Sequence, residues 1–184
     1  MSGDYIYDKV QSLIKKHGSR DPEEIIKGEK IMIFPLNDTK GLLGMYQVIL
    51  RNRTIFISAD AGFQRKTVLA HELGHDQLHR NRASHKTWFH ETIHRTNNSI
   101  YEREANLFAA HLLIDDDEIC SLIKDGYCEN ELAYELQTDI NLIKVKISEL
   151  VRMKLIDIDP YRLSCPNSDF LKDYKPIKES IESI

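Results

Sequence analysis

The feature that most constrains the fold is a helix-like stretch from about Phe63 to His79, which carries two histidines one helical turn apart. Within it, residues 71–75 read His-Glu-Leu-Gly-His, an H-E-x-x-H pattern, and six of the eight histidines of the chain lie between residues 71 and 94. Positions i and i+4 of a helix share one face. The apolar positions that would pack this helix are Phe63, Val68, Leu69, Leu73 and Leu78. The sequence therefore predicts a rigidly packed helix with both imidazoles on one face.

This spacing is typical of a catalytic metal site. Two imidazoles at i and i+4 can bind one zinc ion. Glu72 lies about 100° further round the helix, where its carboxylate can reach the water that the metal activates rather than the metal itself. The pattern places a Lewis acid and a general base side by side. We therefore predict His71 and His75 as metal ligands and Glu72 as the catalytic residue.

A second H-E-x-x-H occurs at residues 90–94, His-Glu-Thr-Ile-His. Its flanks, residues 84–86 and 95–98, are polar and offer no sustained apolar face, which favours a helix end or a loop. We interpret this second match as coincidental as a metal site, and a position of its histidines along the cleft stays an open alternative. Residues 80–99 are expected to form an irregular segment or a short surface helix.

A zinc site with two histidines needs a third protein ligand, and the candidates lie downstream of the motif. The metzincin extension fails, because Leu78 stands where a glycine is required and Arg82 where the third histidine is required. The predicted helix 100–113 offers Glu102 and Glu104, and a rotation of 100° per residue puts Glu102 at the edge of the apolar face. We therefore favour Glu102 as the ligand and expect Glu104 to be solvated. Asn106, one turn on, can hydrogen-bond Glu102 or a ligand histidine.

His79 follows His75 by one further turn and shares its face. Its two interpretations are a substrate contact and an ordinary packed or solvated histidine, of which we favour the second.

Composition sets the broad class of the protein. The 184 residues carry 25 basic and 29 acidic side chains, for a net charge of −4, and 41% are hydrophobic. These values fit one globular domain and argue against a strongly basic nucleic-acid binder. No stretch approaches the length of a membrane span, and no signal peptide is recognised. Three cysteines without C-x-x-C spacing favour reduced thiols, so we expect a cytoplasmic protein.

The remaining pattern predicts an α+β fold with a small three-stranded sheet packed on the H-E-x-x-H helix. The predicted strands are 31–34, 44–50 and 54–58, the last two forming a hairpin, and substrate could add as a further strand beside Thr54–Ser58. Helices are predicted at 6–14, 22–28, 116–124, 129–137 and 141–154.

The two motif segments together resemble the ImmA/IrrE family of zinc metallo-endopeptidases. The matching residues are VLAHELGHDQLH (68–79) and EREANLFAAHLLI (102–114), and the likeness extends over roughly residues 5–155. Asp115 departs from the proline that many members have there. The resemblance implies a zincin-like, thermolysin-like core, with zinc on His71, His75 and Glu102 and with Glu72 as base. It implies one metallopeptidase domain over 1–156, helical from about 115, followed by a tail over 157–184.

The resemblance also implies a biological role. Phage and mobile-element members of that family cleave a partner repressor and so release gene expression. We therefore expect a zinc-dependent endopeptidase in a bacterial cytoplasm, with a helix-turn-helix repressor as its protein substrate, and with neither nucleic acid nor membrane as a partner.

Two other functions stay open at this stage. One is a non-catalytic regulator that contains zinc and binds a partner protein. The other is a DNA-binding protein that uses the helix-turn-helix-like segment 129–150, with Lys144, Lys146 and Arg152 on phosphates. The many apolar residues of the second helix of this segment favour packing or protein recognition over DNA contact.

Overall fold

A computed structural model describes residues 3–37, 41–83, 89–92, 100–157 and 163 of the chain. Within them the fold is α+β, as the sequence predicts. The helices are α1 (Gly3–His17), α2 (Pro22–Gly28), α3 (Arg65–Ala83), α4 (Ile100–Leu113), α5 (Asp116–Lys124), α6 (Glu129–Glu135) and α7 (Ile140–Arg152). The strands are β1 (Met32–Leu36), β2 (Leu42–Ile49), β3 (Asn52–Ser58) and β4 (Phe89–Thr92). None of the described helices is long and apolar enough to cross a membrane.

The sheet has the strand order β1-β3-β2-β4. The predicted hairpin is confirmed as the antiparallel pair β2–β3, and its turn places Leu50 and Arg51 at φ values of 49° and 67°. β1 pairs with β3 in parallel, and β4 pairs with β2 in antiparallel fashion. The strand β4 adds to the three predicted strands and corrects the expectation of an irregular or helical segment there. It was missed because the polar sequence around it lacks the apolar alternation of a strand.

The suggestion that substrate adds beside Thr54–Ser58 is wrong. This segment is β3, which is hydrogen-bonded to β1 on one side and to β2 on the other, so it has no free edge. Among the described strands, the outer positions belong to β1 and β4.

α3 packs against one face of the sheet and forms its closest contact at β2. A Cβ atom on Gly44 would lie 2.4 Å from Val68 Cγ1 and 3.0 Å from Glu72 Oε1, so the glycine lets the strand approach the helix. Two residues along, the fully buried Tyr46 donates a hydrogen bond from its hydroxyl to Asp76 Oδ1 at 2.7 Å. These contacts hold the helix in register with the sheet.

The start of α3 differs from the prediction. The helix begins at Arg65, after a 3₁₀ segment over Ala59–Gln64 in which Gly62 has φ 49° and breaks the helical path. Phe63 therefore does not pack on the helix and is 95% exposed.

α4 lies among other helices and contacts α1, α3 and α7. It approaches α3 at Gly74, where an added Cβ would lie only 3.2 Å from the Cα and the carbonyl oxygen of Ala105. The glycine of the H-E-x-x-H motif thus allows the two helix backbones to come into contact.

The C-terminal helices begin where the sequence predicts. Asp115 caps α5 by accepting hydrogen bonds from the amides of Asp117 and Glu118. Among the described cysteines, Cys120 is a free thiol. Of the predicted tail 157–184, only residues 157 and 163 are described.

Candidate metal centre

Two histidines of α3 meet at one point, as their spacing predicts. His71 and His75 are one turn apart, and their Nε2 atoms lie 3.0 Å from each other. Both side chains are buried. A tetrahedral zinc ion bound at 2.0–2.1 Å to two nitrogens holds them about 3.3 Å apart. The observed separation is close to this value.

Glu102 on α4 completes the group from the neighbouring helix. Its Oε2 lies 3.2 Å from His71 Nε2, and its Oε1 lies 3.6 Å from His75 Nε2. One donor atom from each of the three residues can be chosen so that all lie within 4.8 Å of one another. Two imidazole nitrogens and one carboxylate oxygen form the donor set of a zinc site that keeps a fourth position open. The residues present therefore fit the metal that the motif implies.

The protonation states of these groups suit a metal cation. Burial lowers the pKa of His75 to about 4, which keeps its imidazole neutral. Burial alone would raise the pKa of Glu102, but the side chains of His71 and His75 beside it outweigh that effect and lower its pKa to about 2. Neutral imidazole and ionised carboxylate are the forms that bind a metal.

Asn106 orients the first histidine. Its Oδ1 lies 2.8 Å from His71 Nδ1, which is one of the two contacts predicted for Asn106. An amide oxygen only accepts, so His71 Nδ1 carries the proton and Nε2 keeps its lone pair toward His75 and Glu102.

Glu72 occupies a different face of α3 from the two histidines. The side chain is fully buried, and its carboxylate faces β2 at Gly44. It is not part of the three-residue group formed by His71, His75 and Glu102.

His79 and Glu104 form a pair that the sequence pattern does not predict. His79 Nδ1 lies 3.1 Å from His75 Nδ1, and His79 Nε2 lies 2.9 Å from Glu104 Oε2. The expectation of a solvated Glu104 is wrong, because the residue is only 7% exposed. Since α4 is enclosed by α1, α3 and α7, a helical wheel that assumes one solvated face misplaces it. The available signal was the spacing of His79, one turn beyond His75.

The second H-E-x-x-H does not lie on a helix in its described part. His90 and Glu91 belong to β4, where His90 is the register partner of Met45. The backbone of this segment is that of a strand, so it lacks the helical i, i+4 arrangement. His94 lies outside the described residues.

Comparisons with known proteins find one matching family model, whose match includes both motif segments, and two relatives. A family model, Peptidase_M78, described as the IrrE N-terminal-like domain, matches residues 26–148. A protein of Bacillus phage phi105 named "Uncharacterized immunity region protein 2" is 37% identical over 108 residues, which span 58% of this chain and 66% of the phage protein. The "Metallopeptidase ImmA" of Bacillus subtilis (strain 168) is 28% identical over 148 residues, which span 79% of this chain and 85% of that protein.

Proposed function

This chain belongs to the Peptidase_M78 family, defined by an IrrE N-terminal-like domain, and from that premise we propose that it is a zinc-dependent endopeptidase with a zincin-like core. The observation that carries the proposal is the convergence of His71, His75 and Glu102 on one point, with donor atoms within 4.8 Å of one another. In this proposal they bind the zinc ion and Glu72 is the catalytic residue.

In the proposed chemistry the metal acts as a Lewis acid and Glu72 acts as a general base. A zinc ion held there would supply a Lewis acid that polarises the scissile carbonyl and lowers the pKa of a water molecule. Glu72 takes the proton of the attacking water and returns it to the leaving amine. His71, His75 and Glu102 fix the reaction centre, and Asn106 holds His71 in the ligating orientation.

The proposed substrate is a transcriptional repressor of the helix-turn-helix class, encoded by a phage or a mobile element. Two observations support this choice: one relative is named an immunity region protein of a phage, and another is named a metallopeptidase. Cleavage of such a repressor would release the genes that it silences. We place this reaction in the cytoplasm of a bacterial cell, and the domain over residues 1–156.

The test is cleavage of the repressor encoded beside the gene of this chain. We expect the zinc-loaded protein to cut that repressor, and we expect removal of zinc by a chelator to abolish the cut. Glu72→Gln should bind zinc like the wild type but lower the cleavage rate by at least about 10²-fold, because the general base is lost. Glu135→Gln, at an exposed position of α6, is the matched control and should cleave normally.

Two results would contradict this assignment. If Glu72→Gln cut the repressor at the wild-type rate, Glu72 would not be the base. If the zinc-loaded wild type held the repressor intact in a stable complex, the non-catalytic binding regulator would be the better description.

The basic residues on which the DNA-binding alternative depends have acidic partners. Lys146 is fully buried against Asp116. Lys144 pairs with Glu129 at 3.6 Å. Arg152 pairs with Glu149 at 2.7 Å and with Asp4 at 2.8 Å. Of these three cations Lys146 is buried, and all three have acidic neighbours that compete with phosphates for them.

A further inference from the structure

The second zinc-binding histidine of the proposed site is connected to a chain of buried polar groups. From His75, the chain runs through His79 to Glu104, with contacts of 3.1 Å between the two Nδ1 atoms and 2.9 Å between His79 Nε2 and Glu104 Oε2. The side chain of His79 is 1% exposed and that of Glu104 is 8% exposed. Both are therefore shielded from competing water.

The direction of these hydrogen bonds follows from the groups themselves. An ionised carboxylate only accepts, so His79 Nε2 carries a proton and donates it to Glu104. In a neutral imidazole the other nitrogen is then an acceptor, so His79 Nδ1 accepts from His75 Nδ1. His75 consequently keeps the lone pair on Nε2, the atom that lies 3.0 Å from His71 Nε2. These hydrogen bonds therefore favour the tautomer of His75 that can bind a metal through Nε2.

The other histidine, His71, is oriented by one direct contact. His71 Nδ1 contacts Asn106 Oδ1 directly at 2.8 Å. The final acceptors for both histidines, Glu104 and Asn106, lie on α4, which also provides Glu102. One helix thus supplies a ligand at position 102, an indirect acceptor at 104 and a direct acceptor at 106. Asn106 also demonstrates that an amide oxygen suits a histidine of this site.

We propose that His79 and Glu104 are positioning residues, which hold His75 in the tautomer and ring orientation needed to bind the metal through Nε2. The inference rests on the proposed metal centre. It assigns no contact with substrate to either residue, and its measurable effect is on metal affinity.

The experiment measures zinc affinity of the full chain by competition with a chromophoric chelator. His79→Ala removes the acceptor for His75 Nδ1 and should weaken zinc binding roughly 10–100-fold, the usual cost of losing such a partner. His79→Gln offers an amide oxygen at the same position and should recover most of that loss. The Co²⁺-loaded proteins give a spectroscopic signature, and we expect the visible spectrum to change in His79→Ala and to return toward wild type in His79→Gln.

A control separates positioning from general destabilisation. His111, on α4, is another buried histidine, and its described contacts include Lys146, Tyr7 and Arg20. His111→Ala should lower the melting temperature of the metal-free protein yet keep wild-type zinc affinity. If His111→Ala weakened zinc binding as much as His79→Ala, or if His79→Gln bound zinc as weakly as His79→Ala, the positioning role would be overturned.

Substitution of Glu104 tests the contact between His79 Nε2 and Glu104 Oε2. If the two residues act as one chain, the loss from Glu104→Ala and the loss from His79→Ala should not add in the double variant. Additive losses, or wild-type affinity in His79→Ala, would overturn the proposal. Failure of the wild-type protein to bind zinc would instead overturn the proposed metal centre itself, so the two failures are distinguishable.

Discussion

At the scale of single residues, Lys146 lies where its type of side chain is rarely found. It is fully buried on α7, where its ammonium group forms an ion pair with Asp116 and lies 3.3 Å from His111 Nδ1. Tyr7 on α1 donates a hydrogen bond of 2.8 Å to the other Asp116 oxygen. Burial lowers the pKa of Lys146, and the carboxylate opposes that effect. This cluster ties four helices together.

Removing the charge of Lys146 should therefore destabilise the fold. Lys146→Met keeps the volume of the side chain but leaves Asp116 without its cation, which should lower the free energy of unfolding by about 2–4 kcal/mol. Urea denaturation of the metal-free protein measures the change. Lys144→Met, which removes an exposed lysine from the same helix, should cost less than about 1 kcal/mol. Equal stability of Lys146→Met and wild type would contradict the importance of this pair.

At the scale of elements, the candidate metal centre depends on the distance between α3 and α4. α3 carries His71 and His75, whereas α4 carries Glu102. The two backbones touch at Gly74, beside Ala105. The packing of these helices, rather than either helix alone, brings the three donor atoms together.

A methyl group at the contact should disturb the centre. In Gly74→Ala the new Cβ would lie 3.2 Å from three atoms of α4, two of them backbone atoms of Ala105, so the helices must separate by a few tenths of an ångström. The gain in helix propensity, about 1 kcal/mol, opposes an overpacking cost of about 1–3 kcal/mol. We expect little change in the free energy of unfolding but weaker zinc binding in the chelator assay.

The control for this variant is Ser148→Ala, at an exposed position of α7, which changes helix propensity without a packing conflict. It should leave zinc affinity unchanged. Wild-type zinc affinity in Gly74→Ala would show that the helix spacing tolerates the methyl group.

At the scale of the whole molecule, a series of ion pairs joins helices α1 and α3 to strand β3. Glu29, just after α2, contacts Lys16 Nζ at 2.5 Å and His17 Nε2 at 3.0 Å at the end of α1. Arg53 of β3 lies 3.7 Å from the same carboxylate and 2.9 Å from Asp76 of α3. Burial alone would raise the pKa of Glu29, but the hydrogen bonds from Lys16 and His17 outweigh it and lower that pKa to about 2.

This depressed pKa predicts a pH-dependent contribution to stability. A carboxyl group whose folded pKa lies below its unfolded value stabilises the fold above the unfolded pKa and loses that effect as the pH falls. Glu29→Gln should therefore be less stable than wild type by about 1–2 kcal/mol at pH 6, and the difference should shrink as the pH falls from about 5 toward 2. Urea denaturation of both metal-free proteins measures it, and a difference that does not change between pH 6 and pH 3 would contradict it.

Much of the local structure follows from the sequence. The i, i+4 spacing of His71 and His75 requires only a helix, and the hairpin follows from two apolar segments around a short turn. Asp21 and Asp115 mark helix starts because a carboxylate satisfies free amides at that end. The edge position of Glu102 on its apolar face also follows from helical periodicity. These features depend on residues within a few turns of one another.

The tertiary structure decided what depends on distant neighbours. Strand β4 exists because β2 offers it an edge, and no apolar alternation marks it in advance. Glu104 and Lys146 have the side chains of surface residues, yet both are buried because helices from other parts of the chain surround them and supply partners of opposite charge or hydrogen-bonding groups. Hydrophobic periodicity records which face of an element is apolar. It does not record how many other elements will cover the remaining faces, because that depends on packing between residues far apart in the chain.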